Sequence, residues 1–456
     1  MLYKKSLFIF RRDLRLQDNH ALNFALQESE QVVPVFIFDD QQVTSKNKYL
    51  SHNAMQFMLE SLHDLSEQIK NDQGRIYFFN GISSHIITKL ISEIKIEAIY
   101  TNKDYTPFSI NRDDKIKTIC DHAKIDFKQY EDALLNSPDL VKNGSKQVYK
   151  VFTAFYKNAH QITVALPQKH KIKPGSFYNK PIPDTVDLSK ISHKLIKDPN
   201  PQIAVNGGTA NGLKILSKLS KFKNYDHDKD FPCVDTTHLG AHLKFGTVSV
   251  REAFYAIVKH LGQHHPLLRQ LYWRDFFTYV AYHQPKVFGH AFNPKYDHIK
   301  WHTNTAKFKL WSTGQTGFPI VDAGIRQLNA TGFMHNRVRM IVASFLVKDL
   351  HLDWRLGEHY FATKLTDYDP AVNNGNWQWC ASTGCDAQPY FRIFNPWLQQ
   401  KKFDPDCVYI KTWIPELKNV APKIIHNWVK TFDASIKYPA PILDHSIEAK
   451  IALKMY

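Results

Sequence analysis

Residues 373–397 read NNGNWQWCASTGCDAQPYFRIFNPW, where three tryptophans, two phenylalanines and one tyrosine are interspersed with amides, glycines and one arginine, Arg392. A core helix would place apolar residues at helical spacing, and a buried strand would be continuously apolar or would alternate with polar residues. This segment does neither, although it has too many aromatic rings for a solvent-exposed loop. Such rings, amides and a guanidinium suit a wall that stacks on a planar aromatic ligand and hydrogen-bonds its edge. An irregular core segment is the alternative.

Five further segments extend this pattern over nearly the whole chain: FRRDLRLQDN (10–19), YKVFTAF (149–155), WRDFF (273–277), TGFPIVDAGIRQLNATGFMHNRVRM (316–340) and FLVKDLHLDWRLGEHYF (345–361). Together with residues 373–397 they resemble, in the same order, the photolyase/cryptochrome family. The resemblance implies an α/β N-terminal domain, an all-α FAD-binding C-terminal domain and chemistry driven by blue light.

The composition favours a multidomain protein with an anionic partner. At 456 residues the chain is long enough for two to four domains with sizeable cores. No run approaches the roughly 18 apolar residues of a membrane-spanning helix. Charged residues follow the N-terminal apolar run where a signal peptide would be cleaved. A net charge of +16 and a pI near 9.3 favour polyanions such as nucleic acids.

The five cysteines are scattered along the chain and lack the spacing of a zinc or iron–sulfur site. We therefore expect no bound metal. A reducing compartment, the cytoplasm or in a eukaryote the nucleus, is the expected location.

The first 130 residues alternate short apolar runs with amphipathic stretches. The runs SLFIF (6–10), VVPVFIF (32–38), RIYFF (75–79) and AIYT (98–101) predict strands, and the stretches 53–69 and 82–94 predict helices. This alternation predicts a parallel, doubly wound sheet. No GxGxxG follows the first run, so an ordinary dinucleotide site is not indicated there.

Beyond the sheet the pattern changes twice. Residues 131–205 include a polar stretch rich in lysine and proline, 168–201, and predict a connection between domains. In residues 206–456 strand signals vanish, so this part is expected to be a helical domain that binds FAD and performs the catalysis.

The resemblance implies which residues bind the phosphates and ribityl chain of FAD. In the family the segment YDHDKDFPCVDTTHLGAHLKFG (225–246) has this role, and VDTTHLGAHL within it suits a helix N-terminus, where free N–H groups attract anions. The residues implied are Tyr225, Thr236, Thr237, His238, Leu239 and Gly240. Relatives often carry serine at Gly240, so a backbone group or water is expected to replace that hydroxyl.

A second set is implied around the flavin ring. Arg339 and Asp367 form an ion pair against the ring edge in the family and tune its redox potential; a structural salt bridge is compatible with this role. Asn373 occupies the position that faces flavin N5. The remaining implied residues of the flavin bed are Trp273, Arg274, Tyr368 and Asp369.

Trp377, Trp354 and Trp311 resemble the three-tryptophan chain that reduces the flavin in this family. Electron hopping requires closely spaced, oxidisable rings from the flavin to the surface. Without the family resemblance, core packing would be the favoured interpretation of these tryptophans.

The resemblance also implies a substrate cavity for a pyrimidine dimer flipped out of DNA. Trp273 and Trp379 line it, and stacking on aromatic rings contributes about 1–3 kcal/mol per base. Asn336 and Met340 share one helix face and favour the cyclobutane dimer, because (6-4) photolyases carry histidines at both positions. Gln270 departs from the usual glutamate and is typical of the (6-4) and animal-cryptochrome branches. Cyclobutane-dimer repair is therefore the favoured function; a (6-4) photolyase or a photoreceptor is the alternative.

Four residues match family contacts to DNA at the cavity mouth. Such contacts position the phosphate backbone and do not read bases. They are Lys229, Arg337, Arg392 and Gln399. Each of them could instead be an ordinary solvent-facing side chain. We expect a monomer that binds UV-damaged DNA.

The family often carries a second, light-harvesting chromophore in its N-terminal domain. The segment DYTPFSINRD (104–113) resembles relatives that use a deazaflavin, with Asp104 and Arg112 near the ring or the domain interface. FIFDD (36–40) ends at the same crevice. Deazaflavin, folate, a second flavin or no chromophore all remain open.

Overall fold

The computed structural model describes residues 1–142, 148–169, 172–386 and 391–456. Within them the N-terminal part is a five-stranded parallel sheet with the strand order β3-β2-β1-β4-β5. Its strands and helices are β1 (Tyr3–Phe10), α1 (His20–Glu28), β2 (Ser29–Phe38), α2 (Asp40–Val43), α3 (His52–Asn71), β3 (Tyr77–Asn80), α4 (Ser83–Ile94), β4 (Ala98–Asn102), α5 (Pro107–Ala123) and β5 (Asp126–Tyr130).

The central strands are continuously apolar because both faces of the sheet are covered. Leu7 and Ile9 of β1 belong to the core on one face, whereas Phe8 and Phe10 belong to the core on the other. Successive side chains of a strand point to opposite faces, so a strand buried on both sides needs apolar residues at every position. The predicted doubly wound parallel sheet is confirmed.

Strand β5 had no counterpart among the predicted strands. Its sequence, DFKQY, is mostly polar, and its side chains are exposed or half-buried. It lies at the edge of the sheet and pairs only with β4 among the described strands. An edge strand needs no continuous apolar run, so the hydrophobic pattern did not reveal it.

The connection between the sheet and the helical part contains two helices, α6 (Phe152–Ala159) and α7 (Leu188–Leu195). It packs on the sheet: Phe177 is buried and forms an isolated bridge with Val32 of β2. The segment predicted as a connection therefore contributes to the core of the N-terminal part.

The described remainder is helical, as predicted. Its α-helices are α8 (Thr209–Leu216), α9 (Tyr225–Asp228), α10 (Leu239–Phe245), α11 (Val250–Leu261), α12 (Pro266–His283), α13 (Thr305–Ser312), α14 (Pro319–Thr331), α15 (Asn336–Lys348), α16 (Trp354–Lys364), α17 (Pro370–Ala381), α18 (Pro396–Phe403), α19 (Val408–Trp413), α20 (Pro422–Ile425), α21 (Trp428–Thr431) and α22 (His445–Met455). Short 3₁₀ turns cover Leu219–Phe222, Pro285–Val287, Pro294–Tyr296 and Pro415–Leu417. None of the described helices could span a membrane.

Two buried arginines join the sheet to the helical part. Arg251 of α11 donates to Asp18 at 2.9 Å and to Asp132 at 2.7 Å. Arg15, which follows β1, donates to the same Asp132 at 2.7 Å. All four side chains are at most 3% exposed, so each charge depends on the others for compensation. This network sets the position of the helical part against the carboxyl ends of the strands.

Candidate functional site

One cavity of about 590 Å³ opens in the helical part. This volume lies in the usual range of ligand and cofactor sites. Twenty of the residues that the sequence assigned to the cofactor, electron transfer, the substrate or DNA line it. They are Tyr225, Lys229, Thr236, Thr237, His238, Leu239, Gly240, Gln270, Trp273, Arg274, Asn336, Arg337, Arg339, Met340, Asp367, Tyr368, Asp369, Asn373, Trp377 and Trp379. Trp311, Trp354, Arg392 and Gln399 are not part of the lining.

Helix α17 supplies one wall of the cavity. Pro370 stands in its first turn, and the side chain of Asp369 caps it by accepting from the N–H groups of Ala371 and Val372. The helix packs closely on α12, because a Cβ at Gly375 would lie 2.1 Å from the Phe277 ring. The close approach brings the α17 side chains into the cavity that α12 also lines.

Asp369 is held by charges from both parts of the protein. Arg12, which follows β1, forms an ion pair with it and also contacts Asp104 after β4. Burial alone would raise the pKa of Asp369, but the charges of Arg12, Lys244 and Arg274 outweigh it and lower the pKa to about 2. The capping carboxylate is therefore ionised at neutral pH.

Asn373 has a fixed orientation in the cavity wall. Its amide nitrogen donates to the Glu358 carboxylate at 2.9 Å and to the Glu358 main-chain carbonyl at 3.0 Å. Burial raises the pKa of Glu358 to about 7, while the bond from Asn373 lowers it in part. With its nitrogen engaged, the amide has its oxygen left to accept a hydrogen bond from a ligand.

Arg339 and Asp367 form the expected ion pair, with Nη2 to Oδ2 at 3.0 Å. Arg339 also donates to the main-chain oxygen of Met334 at 2.7 Å, which fixes the guanidinium. A Cβ at Gly240 would lie 2.8 Å from Asp367 Oδ2, so the glycine gives this carboxylate room against α10. The role of the pair toward a flavin remains a prediction.

The segment 236–240 contains the expected helix start. Helix α10 begins at Leu239, and its cap His238 has a left-handed backbone with φ +52°. His238 contacts Asp235 through Nε2 at 2.6 Å, whereas its buried Nδ1 has no partner among the described residues. With the Nε2 hydrogen directed at Asp235, Nδ1 is left as an acceptor for a hydroxyl group of a ligand.

The substrate-side residues surround the same cavity. Asn336 Nδ2 lies 3.8 Å from Met340 Sδ, so the two side chains share a helix face as predicted. Gln270 is exposed, and Trp379 is half-buried. Trp273 stacks on Phe152 with ring centroids 3.6 Å apart, so the connecting segment covers part of this ring.

The buried tryptophans differ from the expected chain in one respect. Trp377 and Trp354 are 2% and 1% exposed, and Trp311 is fully buried with its ring centroid 6.3 Å from that of Trp377. A chain of this kind must reach solvent, and Trp311 has no solvent contact, so its role in electron transfer remains a prediction. It packs against Trp377 inside the core.

Trp301 was missed by the sequence analysis. Trp301 is half-buried. The next residue, His302, forms an isolated β-bridge with Leu352, which precedes Trp354 by two residues. Trp301 lies ten residues before Trp311, and no spacing rule distinguishes the two. Partial solvent access is what distinguishes Trp301, and this property follows from packing and cannot be seen in the sequence.

The four expected DNA contacts have unequal environments. Lys229 donates to the Asp226 carboxylate at 2.7 Å, and Arg337 donates to Asp230 at 2.6 Å. The Arg392 guanidinium lies 5.9 Å from the Trp379 ring. Gln399 has a buried Oε1 without a partner in the described part of the chain. Their role in binding DNA remains a prediction.

Of the antenna candidates, Asp104 follows the carboxyl end of β4 and Arg112 lies in α5. Asp104 is paired with Arg12, and Arg112 donates to Asp113 at 3.0 Å. Arg11 pairs with the same Asp113, and the Nη2 atoms of Arg11 and Arg112 are buried without partners among the described residues. In open α/β sheets, ligands bind at the carboxyl ends of the strands where the strand order reverses, which in this sheet is between β1 and β4. No group of three metal-ligating side chains occurs among the residues described.

The large cavity fits a flavin dinucleotide. It combines aromatic walls with the fixed Asn373 amide, the Arg339–Asp367 pair and the unsatisfied His238 nitrogen. A flavin requires such a bed for its ring, polar groups at the ring edge and donors for its pyrophosphate.

Comparison with known families agrees with this fit. Residues 6–173 match the family described as DNA photolyase, and residues 267–456 match the FAD binding domain of DNA photolyase. The deoxyribodipyrimidine photo-lyase of Alkalihalophilus pseudofirmus is 35% identical over 98% of this chain and 96% of its own length. That of Escherichia coli is 34% identical over 97% of this chain and 96% of its own.

Solved structures of similar fold cover the chain almost completely. An archaeal photolyase from Sulfolobus tokodaii with two FAD molecules has a TM-score of 0.90 and 43% identity, covering 99% of both chains. A class III photolyase from Agrobacterium tumefaciens has a TM-score of 0.91 and 32% identity, covering 100% of this chain and 98% of its own. A Synechocystis cryptochrome has a TM-score of 0.88 and 26% identity over 99% of both chains. The chain therefore belongs to the DNA photolyase family and carries the family's FAD-binding domain in residues 267–456.

Proposed function

We propose that this protein is a deoxyribodipyrimidine photo-lyase that repairs cyclobutane pyrimidine dimers in DNA under blue light. The observation that carries the proposal is the continuity of the 590 Å³ cavity. The residues assigned to FAD and those assigned to a flipped dimer line the same space. Electron transfer between a cofactor and a substrate needs this proximity, because their reacting groups must be held in a fixed, close geometry.

Bound FAD supplies the light-absorbing group and the electron that splits the dimer. The protein's own residues hold it: Arg339 and Asp367 bond to each other at 3.0 Å beside the cavity, and Asn373 presents its amide oxygen. Glu358 keeps that amide from rotating by accepting from its nitrogen.

The lining near Asn336 favours a cyclobutane dimer over a (6-4) lesion. A (6-4) lesion needs an acid, and neither Asn336 nor Met340 can supply one. The histidine that precedes this helix, His335, is buried, and burial lowers its pKa to about 4. It also caps α15 by accepting from the Arg337 N–H at 3.2 Å. His335 is therefore neutral at physiological pH and is a poor replacement for the missing acid.

Gln270 is the residue that favours the alternative lesion, the (6-4) photoproduct. Its amide can donate to a thymine carbonyl, but it has no acidic proton for a dimer that has gained an electron. We infer that Gln270 reduces the efficiency of cyclobutane-dimer repair and does not change the lesion.

For electron supply we propose a route through Trp377 and Trp354 that ends at Trp301. Trp377 lines the cavity, and a Cβ at Gly357, in the first turn of α16 after Trp354, would lie 2.1 Å from the Trp377 ring. Trp301 is half-buried, so an external reductant can reach it. Trp311 contacts Trp377 from the core side without access to solvent.

We further propose an antenna chromophore beside Asp104 and Arg112. The Nη2 atoms of Arg11 and Arg112, which have no partner in the described part of the chain, favour an acidic or oxygen-rich group there. The similar photolyase from Sulfolobus tokodaii holds two FAD molecules, so a second flavin is one candidate beside deazaflavin and folate. Heat release of the pigments from purified protein, followed by chromatography and absorption spectra, identifies which one is present.

The repair proposal is tested with purified, reduced protein and DNA that contains cyclobutane dimers. Under blue light, substoichiometric protein should convert the dimers to pyrimidines, and a dark sample is the control. Binding of damaged DNA without light-dependent loss of dimers would instead favour a photoreceptor, a class that also occurs among the similar structures. The absence of a flavin spectrum would contradict both functions.

A further inference from the structure

Arg337, one of the expected DNA contacts, is already paired inside the protein. Its Nη2 donates to Asp230 Oδ1 at 2.6 Å, and both residues line the cavity. The Arg337 side chain is 17% exposed and that of Asp230 is 33% exposed. The pair therefore stands in the wall of the cavity mouth and not on the open surface.

Two aromatic rings hold the pair in place. The Arg337 guanidinium lies 4.4 Å from the centroid of the Phe403 ring in α18. Phe403 also makes an edge contact, at 6.3 Å, with Phe231, the residue that follows Asp230. The arginine can thus keep its position on the ring while its acceptor changes, because stacking on an aromatic face does not depend on the carboxylate.

The guanidinium is not saturated by Asp230. Arg337 Nε is buried and has no hydrogen-bond partner among the described residues. A guanidinium binds a phosphate by donating two parallel N–H bonds to its oxygens, and a carboxylate accepts bonds in the same directions. Asp230 and a DNA phosphate are therefore chemical competitors for one cation.

We propose that Asp230 is an internal competitor for the DNA phosphate at Arg337 and limits how tightly the protein holds DNA. The inference rests on the proposed DNA-repair function. In the free protein the carboxylate neutralises Arg337. A phosphate that binds the guanidinium through two N–H groups, Nη2 among them, must displace the carboxylate, which returns to the arginine when the DNA leaves. Asp230 thereby weakens the complex with both damaged and repaired DNA and speeds release of the repaired strand.

The neighbouring Lys229–Asp226 pair is a weaker candidate for a carboxylate that competes with DNA phosphate. Lys229 donates to Asp226, but the Asp226 side chain is 75% exposed. Exposed ion pairs are screened by water and salt and contribute little. The half-buried Asp230–Arg337 pair retains more of its interaction.

Asp230→Asn tests the proposal, because an amide oxygen can still accept from Arg337 but carries no charge. DNA binding is measured in the dark by fluorescence anisotropy, with matched duplexes that contain or lack one cyclobutane dimer. We expect the affinity for both duplexes to rise about 3- to 10-fold. The slope of log affinity against log salt concentration should become steeper by about the amount that corresponds to one phosphate contact. Dissociation, followed by stopped flow, should slow by a similar factor. Asp228→Asn, the same charge change two residues away, is the matched control and should change little.

Arg337→Met provides the second arm. In that background Asp230→Asn should have no effect on affinity, because the cation for which it competes is gone. The flavin spectrum and thermal midpoint of each variant verify folding, and Asp230→Ser replaces Asp230→Asn if the latter does not fold. Unchanged affinity in Asp230→Asn, or an increase that persists with Arg337→Met or appears equally in Asp228→Asn, overturns the proposal. Failure of the wild type to prefer the damaged duplex would contradict the proposed function itself.

Discussion

The amide nitrogen of Asn373 is bonded to both the carboxylate and the main-chain carbonyl of Glu358, at 2.9 and 3.0 Å. Asn373 lies on α17 and Glu358 on α16, so the bonds tie two helices together behind the cavity wall. A resemblance between sequences identifies Asn373, but the residue that orients it is fifteen positions away on another helix. The pair shows how a residue outside the cavity lining determines what the cavity presents to a ligand.

Glu358 should make stability fall as pH rises toward neutrality. Burial raises its pKa from 4.5 to about 7, so the folded protein holds the proton more tightly than the unfolded chain. The stabilising contribution is complete below about pH 4.5 and is lost as pH rises through about 7, at a cost of roughly 3 kcal/mol. Urea unfolding at about pH 5.5 and pH 8 measures the free energy of unfolding of the wild type and of Glu358→Gln. The wild type should lose more stability than the variant between the two values; equal losses would contradict the prediction.

Replacing tryptophans should separate the electron route from core packing. Trp377→Phe should abolish photoreduction of the oxidised flavin, and Trp301→Phe should slow it at least about tenfold, because a phenyl ring is much harder to oxidise than an indole. Trp311→Phe should leave the rate within about twofold, which is a change in barrier below about 0.5 kcal/mol. The decay of flavin absorption under blue light with an external thiol measures the rate. Chemically reduced variants should still repair DNA. A Trp311 variant as slow as the Trp377 variant would restore the original assignment.

Gln270→Glu should raise cyclobutane-dimer repair. A protonated carboxyl group can donate to the dimer after it has gained an electron, whereas the amide offers only a weaker donor. One hydrogen bond contributes about 0.5–1.5 kcal/mol net, so an increase of up to about tenfold is expected. The assay uses equal amounts of cyclobutane and (6-4) lesions, illumination and chromatography of each product. Repair of (6-4) lesions by the wild type would refute the proposed lesion, despite Asn336 and Met340.

Removing Arg251 should destabilise the whole protein. Arg251→Met leaves Asp18 without its guanidinium and reduces the compensation of Asp132, which retains Arg15. Breaking a buried ion pair costs about 3–5 kcal/mol. Lys89→Met is the control: Lys89 pairs with Asp184 and Glu93 on the surface, where water and salt screen the charges, so the loss of stability should be much smaller. Chemical denaturation measures both variants. Equal losses would show that the network contributes no more than a surface pair.

The sequence alone was sufficient where local pattern and burial agree. Strands β1 to β4 were recognisable because a strand covered on both faces must be apolar throughout, and β5 was not because it lies at an edge. The residues assigned to the cofactor, electron transfer, the substrate and DNA stand in short, distinctive motifs. Twenty of them line one cavity although they come from segments 225–240, 270–274, 336–340 and 367–379.

Tertiary structure alone decided the partners and the exposure of these residues. Trp301 and Trp311 are equivalent by spacing, but only packing buries one completely and leaves the other half-exposed. Lys229 and Arg337 have the same charge, yet one pairs with an exposed carboxylate and the other with a half-buried one. Sequence specifies which chemical groups are available. Burial and the distance to a counter-charge, which set how strongly those groups interact, depend on how the chain folds, as for Arg337 and Asp230, which are 107 positions apart.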